Sequence, residues 1–257
     1  MIAGSYVDPG FWWLVVGGSA VSAVSFGVFA SALTWLAWRE PAWARSWRVQ
    51  ERRADVRRRL GAAVRAWGIN QVVLLSLLVV TWPVWGRHSP IRVEAWPTLG
   101  EVAVQVLGFI YLDDLLFYGM HRALHWGWLY ERVHRWHHRV RTPFAFTGHD
   151  MHPVEYVAIA VLMLVGPWLA GAHVVTVYAW VVVRQWEAAE GHCGYHLPFS
   201  PLRLLPGHHG ADFHDFHHSR LVGNYAGFLA WVDRVAGTWA KGYAEHVAAR
   251  KLRWWGA

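Results

Sequence analysis

Residues 102–125 read VAVQVLGFIYLDDLLFYGMHRALH. An apolar run long enough to approach the ~20 residues that cross a bilayer passes two acids, Asp113 and Asp114, and ends in the pair His121 and His125. Asp114, Tyr118, His121 and His125 follow spacings that share one face of a helix. An ionisable group in an apolar helix is costly and generally has a role. The stretch predicts a membrane helix that delivers two imidazoles to its inner end.

Other apolar runs extend this reading. Residues 11–38 and 67–85 are long enough to span, and 154–183 is interrupted at Gly166-Pro167 and at Gly171-Ala172-His173. The last region predicts two short helices of about 16 residues each, folded as a hairpin. Hydrophobic residues make up 55% of the 257, and 20 are Trp, a residue favoured where membrane meets water. The expected fold class is all-α: an integral membrane bundle of about three spans plus the hairpin, with a cytosolic histidine-rich cap. The expected division is 1–100 for N-terminal transmembrane helices and a basic loop, 101–245 for a di-metal domain, and 246–257 for an interfacial tail.

Charge sets the expected orientation. The formal net charge is +7, and residues 39–62 hold eight arginines against Glu40, Glu51 and Asp55. The 86–101 loop balances Arg87 and Arg92 with Glu94 and Glu101. The positive-inside rule puts the first loop in the cytoplasm, which suits a multi-pass protein of a bacterial inner membrane with its histidines on the cytosolic side. The clustered arginines read as topology and not as a nucleic-acid footprint. Cys193 is the one cysteine, which excludes an internal disulfide. Met1–Gly10 has no basic n-region and does not look like a cleaved signal peptide.

Histidines carry the chemistry. They stand as His121 and His125; His134, His137 and His138; His192 and His196; and His214, His217 and His218. On a helix, residues three or four apart share a face. In each H-x-x-H-H group the first two rings are expected to share one metal and the third to reach its neighbour. Ten imidazoles exceed one ion's coordination and suit two. Asp114 is expected to accept the N–H of a ligating ring and fix its tautomer, with Tyr118 on the same stripe. Asp113, one step round, reads as a solvated interfacial carboxylate. Glu187, Glu190 and Asp215 are expected to offset the metals' charge. His152-Pro153 reads as a helix start, with His149 and His152 only possible ligands.

At these residues the sequence resembles the fatty acid hydroxylase superfamily, also called the sterol desaturase family, from about Tyr111 to Thr238. Within it the chain is most similar to the C-4 methylsterol monooxygenases. The likeness is carried by Tyr118-Gly-Met-His121-Arg-Ala-Leu-His125, His134 to His138, His152-Pro-Val-Glu155, Glu187 with His192 to Pro201, and His214 to His218. Gly223-Asn224-Tyr225, Asp233-Arg234 and Gly237-Thr238 complete it. Methylsterol oxidases tend to carry an acid where His196 stands, and here the pair looks more like that of fatty acid hydroxylases.

The resemblance implies two non-haem iron ions, O2 as oxidant, and electrons from an external NAD(P)H-linked donor, a ferredoxin or a cytochrome with its reductase. It implies hydroxylation of an aliphatic C–H bond in a lipid, isoprenoid or sterol-like substrate, with repeated oxidation of one methyl group as an extension. Two other readings stand beside it: a lipid desaturase at the same irons, and a metal-binding membrane protein without catalysis.

Overall fold

The computed structural model describes residues 6–255, and side chains for residues 6–250. The reading of Met1–Gly10 falls for residues 1–5 outside the described residues, as does the end of the expected tail at 256–257.

Among the described residues the fold is helical, with only isolated β-bridges. One turn of π-helix, Phe11–Gly17, leads into α1 (Gly18–Arg39). After the basic loop come α2 (Val56–Trp85) and α3 (Leu99–Leu124). Among the described residues, three helices are long and apolar enough to cross a membrane: Phe11–Arg39, Val56–His88 and Leu99–Leu124. α2 begins eleven residues before its apolar run. Asp55 caps it by accepting from Arg58 N–H (3.4 Å), and its first turns carry exposed arginines whose charge stays in water.

The expected hairpin is present as α5 (Pro153–Leu169) and α6 (Val174–Gly191). Its break falls only at residues 170–173, where Gly171 has φ +53°, and Pro167 stays inside α5. Histidines start both helices: His152 Nδ1 accepts from Val154 N–H and His173 Nδ1 from Val175 N–H, each at 3.2 Å. The hairpin turn is stitched to the loop between α2 and α3, with Arg92 N–H donating to Ala172 O (2.9 Å) and Val174 N–H to Arg92 O (2.8 Å). The hairpin thus reaches the end of the bundle remote from His121.

Its two ends are marked by Trp. Trp12, Trp13, Trp96 and Trp168 are exposed around the hairpin turn, and Trp35, Trp38, Trp126 and Trp128 at the other end. Rings that are apolar with one polar N–H favour the two interfaces of a bilayer. The end opposite the hairpin turn gathers the C-termini of α1, α3 and α6 and the start of α5. Short elements cap it: α4 (Gly127–Arg132), 3₁₀ turns at His134–Arg139 and Ala145–His149, α7 (Ala211–Arg220) and α8 (Trp231–Val235). The basic loop closes against this cap, with Val49 N–H on Gly194 O (3.0 Å) and His196 N–H on Trp47 O (2.7 Å). The expected interfacial tail continues α9 (Tyr243–Trp255), which is held on α7 through an Arg250–Asp212 ion pair at 2.7 Å.

Asp113 is not the solvated carboxylate expected from its position. It is buried and pairs with Arg184 of α6 at 3.1 Å, and Arg184 also pairs with Glu187. The guanidinium lies against Phe117 and Phe228, 5.1 and 5.5 Å from the ring centroids. Truncating one member of such a network leaves uncompensated buried charge. Arg184→Met is expected to cost about 3 kcal/mol or more, read as a lower denaturation midpoint in detergent micelles, with Arg184→Lys recovering part of it.

Candidate metal centre

Nine histidines converge in two groups. His121, His125, His134, His138 and His217 form the first; His137, His192, His214 and His218 form the second. Within each, the candidate ligand atoms all lie within 4.8 Å of one another. In the first, Nε2 atoms meet at 3.1 Å (His121–His134), 3.0 Å (His125–His134), 2.9 Å (His134–His138) and 3.1 Å (His138–His217). In the second, His192 Nε2 lies 3.1, 3.0 and 3.2 Å from those of His137, His214 and His218. The groups adjoin, with the His138 and His218 rings 4.6 Å apart.

The far side of five of the nine rings explains this convergence. His121 Nδ1–H donates to Tyr225 O, and His217 Nδ1–H to Gly223 O, both at 2.7 Å. His192 Nδ1–H donates to Ala188 O at 2.8 Å and His218 Nδ1–H to Val140 O at 3.1 Å. His134 Nδ1 meets Glu155 Oε1 at 2.7 Å. Carbonyls and carboxylates only accept, so the proton of each neutral ring is assigned to Nδ1. The Nε2 atoms then carry lone pairs. His121 faces His134, and His192 faces His218, lone pair to lone pair, which is repulsive unless a cation lies between. Metal–imidazole bonds of ~2.1 Å at right angles put nitrogens about 3 Å apart, the separation seen here. The donor set therefore fits two ions of a metal that accepts imidazole, such as iron. Burial, reinforced by neighbouring rings, pushes His192, His214 and His218 well down; burial also takes His137 to about 4 and His217 to about 3. The imidazoles stay neutral, as ligands must be.

The grouping differs from the sequence expectation. Each H-x-x-H-H run splits so that its first and third rings stay together and its middle ring crosses to the other group. On α7, His214 and His218 are about 40° apart while His217 is about 60° the other way, and the nearer pair shares a site. His196 belongs to neither group. α6 ends at Gly191, and Gly194 at φ +75° turns the chain before His196 is reached. Its ring instead meets Asp212 and Arg203.

The supporting carboxylates are also redistributed. Of the carboxylates in the motifs quoted above, only Glu155 meets a ring of either group. Asp114 accepts no imidazole proton. Its carboxylate takes the backbone N–H groups of Gly227, Phe228 and Leu229 at 2.9, 2.6 and 3.2 Å. That fixes the loop whose Tyr225 carbonyl orients His121. Asp233 does the same from the other side, accepting from Tyr225 and Ala226 N–H at 2.9 and 2.8 Å. Asn224, at φ +56°, ties the loop to Phe213 O and Ala240 N–H. Gly223 has φ +70°, and a Cβ there would sit 2.6 Å from Thr238 O. Tyr118 meets Thr238 Oγ1 at 3.0 Å and accepts from Arg122. Glu187 is engaged by Arg184, and Glu190 accepts from Trp186 Nε1 and Ser200 Oγ. Asp215 accepts from Gln50 of the basic loop at 2.8 Å, and burial still raises it to about 8. His149 and His152 lie outside both groups; His152 is the cap of α5.

Sequence reasoning passed over Arg184 and Gln50. A lone Arg in the apolar run of α6 was a usable signal, whereas nothing local distinguishes Gln50.

A cavity opens from the histidines into the bundle. The empty space in and around it, open solvent included, is ≈ 740 Å³, and it reaches His121, His134, His137, His192 and His214 at one end. Leu74, Ile159, Ala160 and Met163 line its apolar part.

A helical membrane bundle whose capped end brings nine histidines into two metal-sized groups defines the class. The family model for fatty acid hydroxylase matches residues 106–238, and the chain belongs to that family. It is similar to methylsterol monooxygenase 2-2 of Arabidopsis thaliana, 41% identical over 66% of this chain and 65% of that protein. Methylsterol monooxygenase 2-1 of the same plant is 36% identical over 70% of this chain and 71% of its own length. Very-long-chain aldehyde decarbonylase GL1-11 of Oryza sativa subsp. indica is 40% identical over 65% of this chain and 64% of its own. The chain thus spans just under two thirds of the length of the first of these relatives. No solved structure matches.

Two variants separate ligands from neighbours. His137→Ala is expected to insert in the membrane yet lose bound metal, while His196→Ala keeps it, measured by metal analysis of the purified proteins. Removing the Glu155 carboxylate, as Glu155→Gln, is expected to weaken metal retention about 10–100-fold in competition with a chelator.

Proposed function

We propose that this chain is a membrane-bound non-haem diiron oxygenase that hydroxylates an aliphatic C–H bond of a lipid, isoprenoid or sterol-like substrate. The overall change is R–H + O2 + 2 e⁻ + 2 H⁺ → R–OH + H2O. Electrons come from a separate NAD(P)H-linked donor, a ferredoxin or cytochrome with its reductase. The observation that carries the reading is the pair of histidine groups with Nε2 lone pairs turned inward, at the end of an apolar cavity.

His121, His125, His134, His138 and His217 would hold one iron, and His137, His192, His214 and His218 the other. Iron supplies the redox capacity for reducing O2 that cleavage of an unactivated C–H bond requires, which zinc lacks. The protein's part is positioning and exclusion. Phe117 and Met120 line the cavity beside His121, so an apolar chain entering between α2 and α5 meets apolar walls up to the rings. Water is kept from the reacting carbon by the same walls. The carbonyls of Tyr225, Gly223, Ala188 and Val140 hold the rings in place before any substrate arrives. Repeated turnover on one methyl group would carry an alcohol on to an aldehyde and an acid.

The proposed orientation puts the histidine cap on the cytosolic side, with the arginine-rich 39–62 loop. The plant relatives give no support to the bacterial inner membrane expected from the sequence, and the proposal names no particular membrane. The decarbonylase relative favours a second reading, cleavage of a long-chain aldehyde at the same irons.

Purified protein reconstituted with iron, O2, reductase and ferredoxin is expected to contain two irons per chain and to add one oxygen to a methylsterol or fatty acyl substrate, seen by mass spectrometry. A product with two fewer hydrogens and no oxygen would assign desaturation. Loss of the carbonyl carbon would assign the decarbonylase reading, and absence of bound iron would overturn both.

A further inference from the structure

The apolar cavity carries a second, polar feature that the metal groups do not use. Ser22 of α1, Tyr156 of α5, Gln185 of α6 and His149 all line it. They are 7, 5, 5 and 7% exposed. Gln185 Nε2 donates to Ser22 Oγ at 2.9 Å, which ties α1 to α6. That tie leaves Gln185 Oε1 buried without a partner. His149 lies flat on Phe26, ring centroids 3.6 Å apart, and its Nδ1 is likewise buried and unpartnered. Asn70 fixes the His149 backbone by donating to its carbonyl at 3.2 Å. Phe26 stands one helical turn from Ser22, so the His149 ring and the Gln185 amide occupy adjacent turns of one wall.

A buried polar atom left unpaired costs about 1–3 kcal/mol. Two of them on one cavity wall, in a bundle that crosses a membrane, point to a ligand that completes both. The ligand's chemistry follows from what each can exchange. A neutral imidazole nitrogen donates or accepts according to its tautomer, and the amide offers oxygen or NH2 according to its rotation. With Nε2 committed to Ser22, Gln185 Oε1 accepts, so one hydroxyl completes both groups by donating to that oxygen and accepting from the His149 Nδ1–H tautomer. A carbonyl accepts only, and a saturated chain does neither. Gln185 is on α6 and His192 caps its end seven residues later, hence near the same face and about 10 Å apart along the axis.

We propose that Gln185 and His149 are specificity-determining residues that hold the hydroxyl group of an otherwise apolar lipid, and thereby set which of its carbons faces the histidine groups. This rests on reading the cavity as the substrate site. The hydroxyl end lies within the bundle on the hairpin side of His192, and the carbon presented for reaction is displaced from the hydroxyl-bearing carbon.

The test is binding without turnover. Iron-loaded protein in nanodiscs, kept anaerobic and unreduced, is titrated with a methylsterol against its deoxy counterpart, and with hexadecanol against hexadecane. In at least one pair the hydroxyl-bearing member is expected to bind about tenfold tighter, the worth of one to two buried hydrogen bonds. Gln185→Leu is expected to reduce that preference to within about twofold while iron content stays unchanged. His149→Phe, which keeps the stack on Phe26, carries the same comparison if Gln185→Leu fails to hold iron. Equal binding within both pairs, absence of binding by all four probes, or a preference that survives both variants overturns the proposal. Bound iron with lipid oxidation but no hydroxyl preference would sink this inference and leave the oxygenase reading standing. A hydroxyl preference in a protein that oxidises nothing would do the reverse.

Discussion

Five ring nitrogens are each pinned by an acceptor behind them: the carbonyls of Tyr225, Gly223, Ala188 and Val140, and the Glu155 carboxylate. That constraint governs the rest of the site. An imidazole free to rotate can turn either nitrogen toward a neighbour and form an ordinary hydrogen bond. An imidazole whose Nδ1–H is already committed has only a lone pair to present. Packing several such rings together is unfavourable on its own and becomes favourable around a cation. Much of the surrounding architecture serves to hold those acceptors still. Asp114 and Asp233 gather the N–H groups of residues 225–229, and Asn224 and Gly223 shape the turn before them.

The bundle decides where this happens. Adjacent helices run in opposite directions, so the hairpin turn sits with the α2–α3 loop at one end and every ligand-bearing segment lies at the other. The ligands come from a helix C-terminus, a 3₁₀ turn, the end of α6 and a short helix after it. None of these segments could form a two-metal group alone. Convergence is a property of the cap, and the basic loop takes part through Gln50, Val49 and Trp47. The same arrangement leaves the cavity between α1, α2, α3, α5 and α6, where apolar walls lead from the interior of the bundle to the rings.

Charge buried in this bundle is handled by pairing, not by exposure. Arg184 lies between Asp113 and Glu187, and Arg250 meets Asp212. Such pairs stabilise little relative to apolar packing, but losing one partner is costly. Their effect is specificity: they lock α3 against α6, and α9 against α7, in a single register.

Hydrophobic runs and their interruptions made the three spans and the α5–α6 hairpin legible, because burying backbone in hydrocarbon demands helices of a certain length. Nine of the ten rings singled out by their spacing come together in the structure, and in the α-helical segments this follows because i and i+4 share a face. His196 does not join them, because that rule assumes a helix and Gly194 at positive φ turns the chain before it. Partners were not legible. Whether Asp114 meets an imidazole or three backbone amides depends on groups more than a hundred residues apart, and the Arg184 that engages Glu187 from one turn away is itself held by Asp113 of α3. The amino-acid sequence by itself determined which segments would be helical and which rings were available. Only the tertiary structure decided which rings share a group and what holds each one, because those choices are made by long-range packing and not by periodicity.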